Sequence, residues 1–180
     1  MIAGTVGGRK LVAPKGSARP TQDRVKEALF SSLGDAVLDA TVLDLYAGSG
    51  ALGIEALSRG AAHAVLVDSD AAAGTAIRAN LDATGFARRA TISQRPVDVF
   101  VKSGAPGGPF DLVLLDPPYD LPATEVADVL AGLAAAGAVE PDATVVIERG
   151  RGGDAVTLPE GWDVRRERSY GDTLLILVSV

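Results

Sequence analysis

Five short apolar runs, each followed by a polar or helical segment, constrain the fold of this chain more than any other feature. TVLDLY (41–46) leads into a helix over 49–59, and AVLVD (64–68) into one over 70–83. ATISQ (90–94) precedes a weaker helix over 97–103, and FDLVLLD (110–116) an Ala/Leu helix over 123–136. ATVVIE (143–148) is the fifth run. Runs that do not alternate with polar residues are strands buried on both faces. Strands alternating with helices build a parallel sheet covered on both sides. After Glu148 the pattern changes: WDVRRERSY (162–170) and TLLILVSV (173–180) flank Gly171-Asp172 and predict a terminal antiparallel pair. At the other end, residues 2–6 and 9–13 flank Gly7-Gly8 and predict a β-hairpin. A helix over 22–33 follows, with Thr21 as its cap and Gly34 as its stop. The expected architecture is α/β and doubly wound, with a mostly parallel seven-stranded sheet, a C-terminal antiparallel hairpin and an N-terminal hairpin arm. The arm spans residues 1–18 and a single domain spans 19–180.

The 180 residues suit one domain with a sizeable core. No apolar run approaches the ~20 residues that cross a bilayer, and no basic-then-apolar leader opens the chain. The absence of cysteine removes disulfides, thiolate nucleophiles and cysteine metal sites, and the single histidine, His63, makes a histidine metal site implausible. A cytoplasmic protein without metal is the expectation. The net charge of −6 is unevenly spread. Residues 1–30 hold six basic and two acidic side chains, a net of +4, whereas the remainder holds 11 and 21, a net of −10. A basic arm on an acidic body is either a phosphate-binding footprint or a solvated tail. On the first reading Arg9, Lys10, Arg19 and Arg24 contact nucleic-acid phosphates; the alternative for Thr21 and Arg24 is a place near the mouth of the functional site, since 19–30 directly precedes the first core strand.

Residues 44–53 read DLYAGSGALG, so Gly48, Gly50 and Gly53 form G-x-G-x-x-G between a strand and a helix. Asp68 ends the next strand, twenty positions after Gly48. This is nearly the dinucleotide fingerprint, in which an acid binds ribose. Asp44 shifts the balance, because an acid facing the loop repels a pyrophosphate and attracts an ammonium or sulfonium. S-adenosylmethionine carries both cations and no phosphate. A tight turn with a capping aspartate is the simpler alternative. Tyr46 and Ser49 within the loop, and Ser69 beside Asp68, join the expected cofactor-binding residues.

LLDPPYD (114–120) ends the strongest strand on an acid, two prolines and a tyrosine. Prolines lack the donors that a central strand needs, so the sheet stops there on a stiff turn. An exocyclic base amine is a poor nucleophile, since its lone pair is delocalised into the ring. Accepting hydrogen bonds from its protons frees that lone pair. Asp116 offers a carboxylate, the Pro117 carbonyl a second acceptor, Pro118 rigidity and Tyr119 a ring on which a base stacks. The alternative is a rigid turn with a structural tyrosine.

With these blocks in view, the chain resembles the bacterial 16S rRNA guanine-N2 methyltransferases that modify guanine 966. The resemblance covers nearly the whole length: IAGTVGGRKL, RPTQDRVKEALF (19–30), DLYAGSGALGIEALSRGA (44–61), LDPPY (115–119), Glu148 and YGDT (170–173). It implies a class I, Rossmann-like methyltransferase fold and S-adenosylmethionine as cofactor, with S-adenosylhomocysteine as product. It implies 16S rRNA in the small subunit or its assembly intermediate as substrate; a monomer is expected. Cofactor contacts are implied at Asp44, Gly48, Gly50 and Asp68, and base contacts at Asp116 to Tyr119. In two places the chain departs from the pattern. Asp68 stands where glutamate is frequent, and Pro96 stands where an Asp or Asn usually reads adenine, leaving Asp98 or the backbone near Val97 for that role. An adenine-N6 methyltransferase is the nearest alternative. An NAD-dependent oxidoreductase, which leaves Asp44 and DPPY idle, and a non-catalytic RNA-binding module stand further off.

Overall fold

The computed structural model of the protein describes residue 1, residues 3–12 and residues 20–180, and the side chains of 20–23 lie outside that description. Arg19, residues 2 and 13 of the expected hairpin and the Thr21 side chain therefore lie outside the described residues. Helix α1 (Pro20–Leu33) leads through a 3-10 turn (Gly34–Val37) into β1 (Thr41–Leu45). Then follow α2 (Ala51–Ser58), β2 (His63–Val67), α3 (Ala71–Thr84), β3 (Ala90–Ser93), α4 (Val97–Lys102), β4 (Phe110–Leu115) and α5 (Ala123–Ala135). The chain closes with β5 (Val139–Gly150), β6 (Asp163–Tyr170) and β7 (Thr173–Ser179).

The seven strands lie in the order β3-β2-β1-β4-β5-β7-β6. β1 to β5 run parallel, whereas β7 pairs antiparallel with both β5 and β6. The chain winds outward from β1 to β3, then crosses back to β4 and β5. The order thus reverses between β1 and β4, and ligands of open α/β sheets sit in the crevice at the carboxyl ends of the strands beside such a reversal.

Alternate strand residues face opposite sides of the sheet. Val42, Leu66, Leu112, Leu114, Val146 and Leu175 pack with α1, α2 and α3 in one apolar layer. Leu43, Val65, Val113, Leu115, Val145 and Ile176 pack with α4 and α5 in the other. Among the described residues, no helix is long and apolar enough to cross a membrane.

The N-terminal segment departs from expectation. Residues 3–8 form turns and 9–12 form no strand, so no hairpin stands there among the described residues. Its backbone groups are taken by side chains of α2 and α3 instead. Ala3 N donates to Glu55 Oε1 (3.1 Å), Val6 N to Ser58 Oγ (3.2 Å), and Thr5 N to the Ser58 carbonyl (2.9 Å). Gly4, at φ +81°, touches that carbonyl so closely that a Cβ would lie 2.0 Å from the Ser58 oxygen. The Gly7-Gly8 turn chemistry is sound locally, but the docking partners decide the conformation. The helix also starts earlier than read, at Pro20, where a missing N–H costs nothing, so Thr21 lies inside it.

Asn80 anchors the far end of this strap. It is 1% exposed, accepts from Val12 N (2.7 Å), and donates to the carbonyls of Val12 (2.8 Å) and Ser49 (2.9 Å). Asn80→Ala removes all three bonds from a dry site and should lower unfolding free energy by about 2–3 kcal/mol. Urea denaturation measures this, and an unchanged midpoint would show that the strap is not held there.

Candidate active site

The glycine loop is built around two carboxylates. Asp44, on β1 and 1% exposed, accepts from Gly53 N (2.8 Å) in the first turn of α2. It therefore caps α2 from the neighbouring strand, as the simpler reading of this acid holds. A Cβ at Gly53 would lie 3.0 Å from Asp44 Oδ2, which explains the glycine. Asp68 lies just beyond β2. Its Oδ2 accepts from Gly48 N (2.8 Å) and its Oδ1 from Asp70 N (2.9 Å). Gly50 sits at φ +76°, and Tyr46 carries a positive φ of 61° without being glycine, a strained position of the kind found at functional sites. Ser49 contributes its carbonyl to Asn80.

Beside this loop lies a cleft of about 790 Å³, walled by Tyr46, Asp68, Ser69, Pro96, Val97 and Asp98 and continuing between α4 and α5. Five of the sequence-predicted cofactor residues thus share one wall. Pro96, Val97 and Asp98 lie at the start of α4 along this cleft, with Asp98 bonded to Lys102 (3.0 Å) at the exposed rim. That bond holds the Asp98 carboxyl below the usual range. Burial pushes the Tyr46 phenol up to about 12, with Glu125 and Asp98 adding to it, so it stays a neutral donor.

On the other side of β1, β4 ends at Leu115, and Asp116 N reaches the Leu45 carbonyl (3.4 Å). The two prolines stop the strand as their missing donors require. Pro117 is buried, and Pro118 and Tyr119 are exposed. Tyr119 Oη lies 3.3 Å from Thr173 Oγ1 on β7, and its ring faces Gly150, where a Cβ would be 3.8 Å away. Buried Arg149 donates from Nη1 to the Leu121 carbonyl (2.9 Å) and so ties this loop to β5.

Sheet register explains why these acids meet. Leu115 pairs with Ile147, which sets Glu148 beside Asp116 on the same face. Asp44 pairs with Leu114 and Leu66, so Asp44, Asp116 and Glu148 face the α1–α3 side, whereas Asp68, just beyond the paired residues of β2, lines the cleft. Burial pushes Asp44 up to about 7, against the lowering effect of the Gly53 bond and with Asp116 and Asp68 adding to the rise. Burial pushes Asp116 up to about 6. Glu148 is pushed up to about 8 by burial and then by Asp116. Sequence reasoning assigned Glu148 no role. Its signal was an acid at the end of the buried run ATVVIE, parallel to that ending FDLVLLD.

The residues expected to hold RNA are only partly placed. Arg9 and Lys10 are exposed, but an Arg9 guanidinium nitrogen donates to the Ala83 carbonyl and helps dock the strap. Arg24 is exposed on α1. Among the described residues there is no group of three or more metal-ligating side chains.

The model of the family described as conserved hypothetical protein 95 matches residues 1–179. Ribosomal RNA small subunit methyltransferase D of Escherichia coli K12 is 34% identical over 172 residues, covering 95% of this chain and 84% of that one. The Haemophilus influenzae protein of the same name is 35% identical over 174 residues, covering 95% and 88%. The solved structure of Escherichia coli yhhF superposes with a TM-score of 0.87 at 34% identity, covering 99% of this chain and 95% of that one. Such agreement along nearly the entire length means that the chain belongs to this family, that of ribosomal RNA small subunit methyltransferase D, and is a methyltransferase.

Proposed function

We propose that this enzyme transfers a methyl group from S-adenosylmethionine to the exocyclic N2 of a guanine, of the 966 type, in 16S rRNA. The observation that carries this reading is Asp116, a carboxyl held on a proline-stiffened turn at the carboxyl edge of the sheet, at the end of the strand paired with that of Asp44. The names of the relatives support rRNA of the small subunit as the substrate class. The resemblance supports guanine N2 and the small subunit or its assembly intermediate, and the reading takes the enzyme as a cytoplasmic monomer. A basic arm over residues 1–18 attached to a domain over 19–180 belongs to the same reading, with Arg9, Lys10, Arg19, Thr21 and Arg24 toward RNA.

The donor set fits the cofactor. Two acids, Asp44 and Asp68, border the glycine loop, an arrangement hostile to a pyrophosphate and suited to a cation. Asp68 keeps lone pairs for ribose hydroxyls after accepting from Gly48 and Asp70. Tyr46, Pro96 and Val97 offer apolar walls for a purine, and Asp98 or the backbone near Val97 is the candidate reader of an adenine amino group in this reading. When bound, the cofactor supplies an electrophilic methyl group. The protein's own residues prepare the acceptor. Asp116 and the Pro117 carbonyl accept hydrogen bonds from the amine, orienting its lone pair, and Tyr119 stacks on the base. The base has to leave its RNA stack to reach them.

Asp68→Ala should weaken S-adenosylhomocysteine binding by about 1–3 kcal/mol in calorimetry. NAD binding at the same site would overturn the cofactor reading. Asp116→Asn should reduce kcat on the order of 100-fold or more with cofactor affinity retained. Nucleoside mass spectrometry should find N2-methylguanosine, whereas N6-methyladenosine would identify the other base.

The pH dependence follows from the raised carboxyls. Asp116 accepts amine protons only when ionised, so kcat/KM should fall as pH drops through about 6. Glu148 is protonated throughout that range. Glu148→Gln should therefore leave this acid limb in place, and a limb that disappears would show that Glu148, not Asp116, titrates there.

A further inference from the structure

The edge strand β6 carries a basic row that the functional site does not use. Its residues 163–169 are all exposed, and among the described residues its outer side pairs with no strand. Arg166 pairs with Leu177 and Arg168 with Leu175. Both leucines pack in the layer beneath α1, as does Tyr170 two positions on. Arg166 and Arg168 therefore project on the α1–α3 side, the same side as Asp116 and Glu148. Glu167 pairs with Ile176 of the opposite layer and points away from them. Among the described residues, neither arginine is in an ion pair.

The register also gives the level along the sheet. Glu148 pairs with Leu175, and Leu175 with Arg168, so Arg168 lies in the row of the acids. At the usual strand spacing it stands about 10 Å from Glu148 and about 14 Å from Asp116, measured between backbones. A base, its sugar and an extended arginine side chain together cover such a distance. The next residues along β6 lead to Thr173, whose hydroxyl lies 3.3 Å from Tyr119 Oη, so the hairpin that carries the row also supports the Tyr119 ring.

We propose that Arg166 and Arg168 form a phosphate-binding strip on β6 that grips single-stranded RNA flanking the extruded nucleotide. The proposal rests on the RNA reading above and adds a contact surface outside the N-terminal arm. Two unpaired cations facing a polyanion lower its energy through counterion release, whereas the body of the protein, net −10 beyond residue 30, repels it. Charged edge strands also deter pairing with other sheets. That duty needs charge but neither sign nor face, and this separates the two roles.

The test compares wild type with R166E/R168E, R166K/R168K and R166A/R168A, using small ribosomal subunits that lack the methyl group. R166E/R168E keeps a charged edge but should raise KM ten-fold or more at near-normal kcat, with S-adenosylhomocysteine affinity unchanged. The lysine pair should restore most of the loss. R166A/R168A should flatten the plot of log kcat/KM against log salt by about 1.4, the value for two single-strand phosphate contacts. R88E, whose residue precedes the amino end of β3, should match wild type. Wild-type KM and salt slope in R166E/R168E would overturn the strip. Should wild type itself not methylate the subunits, the substrate reading fails separately. Anisotropy with a short fluorescent single-stranded RNA then decides the strip, by weaker or equal binding of R166E/R168E.

Discussion

Desolvation of carboxyl groups is the constraint around which the rest of this structure is arranged. Parallel register puts Asp44, Asp116 and Glu148 on one face at the carboxyl edge of the sheet, with Asp68 just beyond β2 at the same edge. Each buried charge is costly unless hydrogen-bonded or neutralised. Asp44 and Asp68 are met by the backbone N–H groups of Gly53 and Gly48, and these bonds shape the glycine loop. Asp116 and Glu148 lie side by side without a backbone N–H partner of that kind, and burial raises both, Glu148 further than Asp116. An acceptor for amine protons at neutral pH follows from that division.

The surroundings hold this row in place from three directions. Asn80 links the glycine loop to the N-terminal strap through Ser49 and Val12. Arg149 links the loop after DPPY to β5 through Leu121. Tyr119 leans on the β7 hairpin through Thr173. Reactive alignment depends on such supports, because small displacements at the reacting centre are expensive in rate.

Much of this was legible before the structure. β1, β2 and β4 stand out because burial on both faces demands unbroken apolar runs, and DPPY ends β4 because prolines cannot donate. Other features depend on partners distant in the chain. The first twelve residues carry good hairpin chemistry, yet Glu55 and Ser58 capture their donors. β5 begins at Val139, four residues before the apolar run, through Glu140, Pro141 and Asp142, which local propensity assigns to a turn. Glu148 and Arg168 look like ordinary strand-end and surface charges until register aligns them with Asp116. Asp44 was read for its charge, whereas its bond to Gly53 shows that it also caps a helix.

The division of charge between Asp116 and Glu148 is the centre of this account, and carboxyl-carbon NMR titration observes it directly. With side-chain carboxyl carbons labelled and Asp116→Asn and Glu148→Gln used for assignment, Asp116 should ionise near pH 6 while Glu148 remains protonated until about pH 8. Both groups titrating near pH 4, as solvated carboxyls do, would contradict the account.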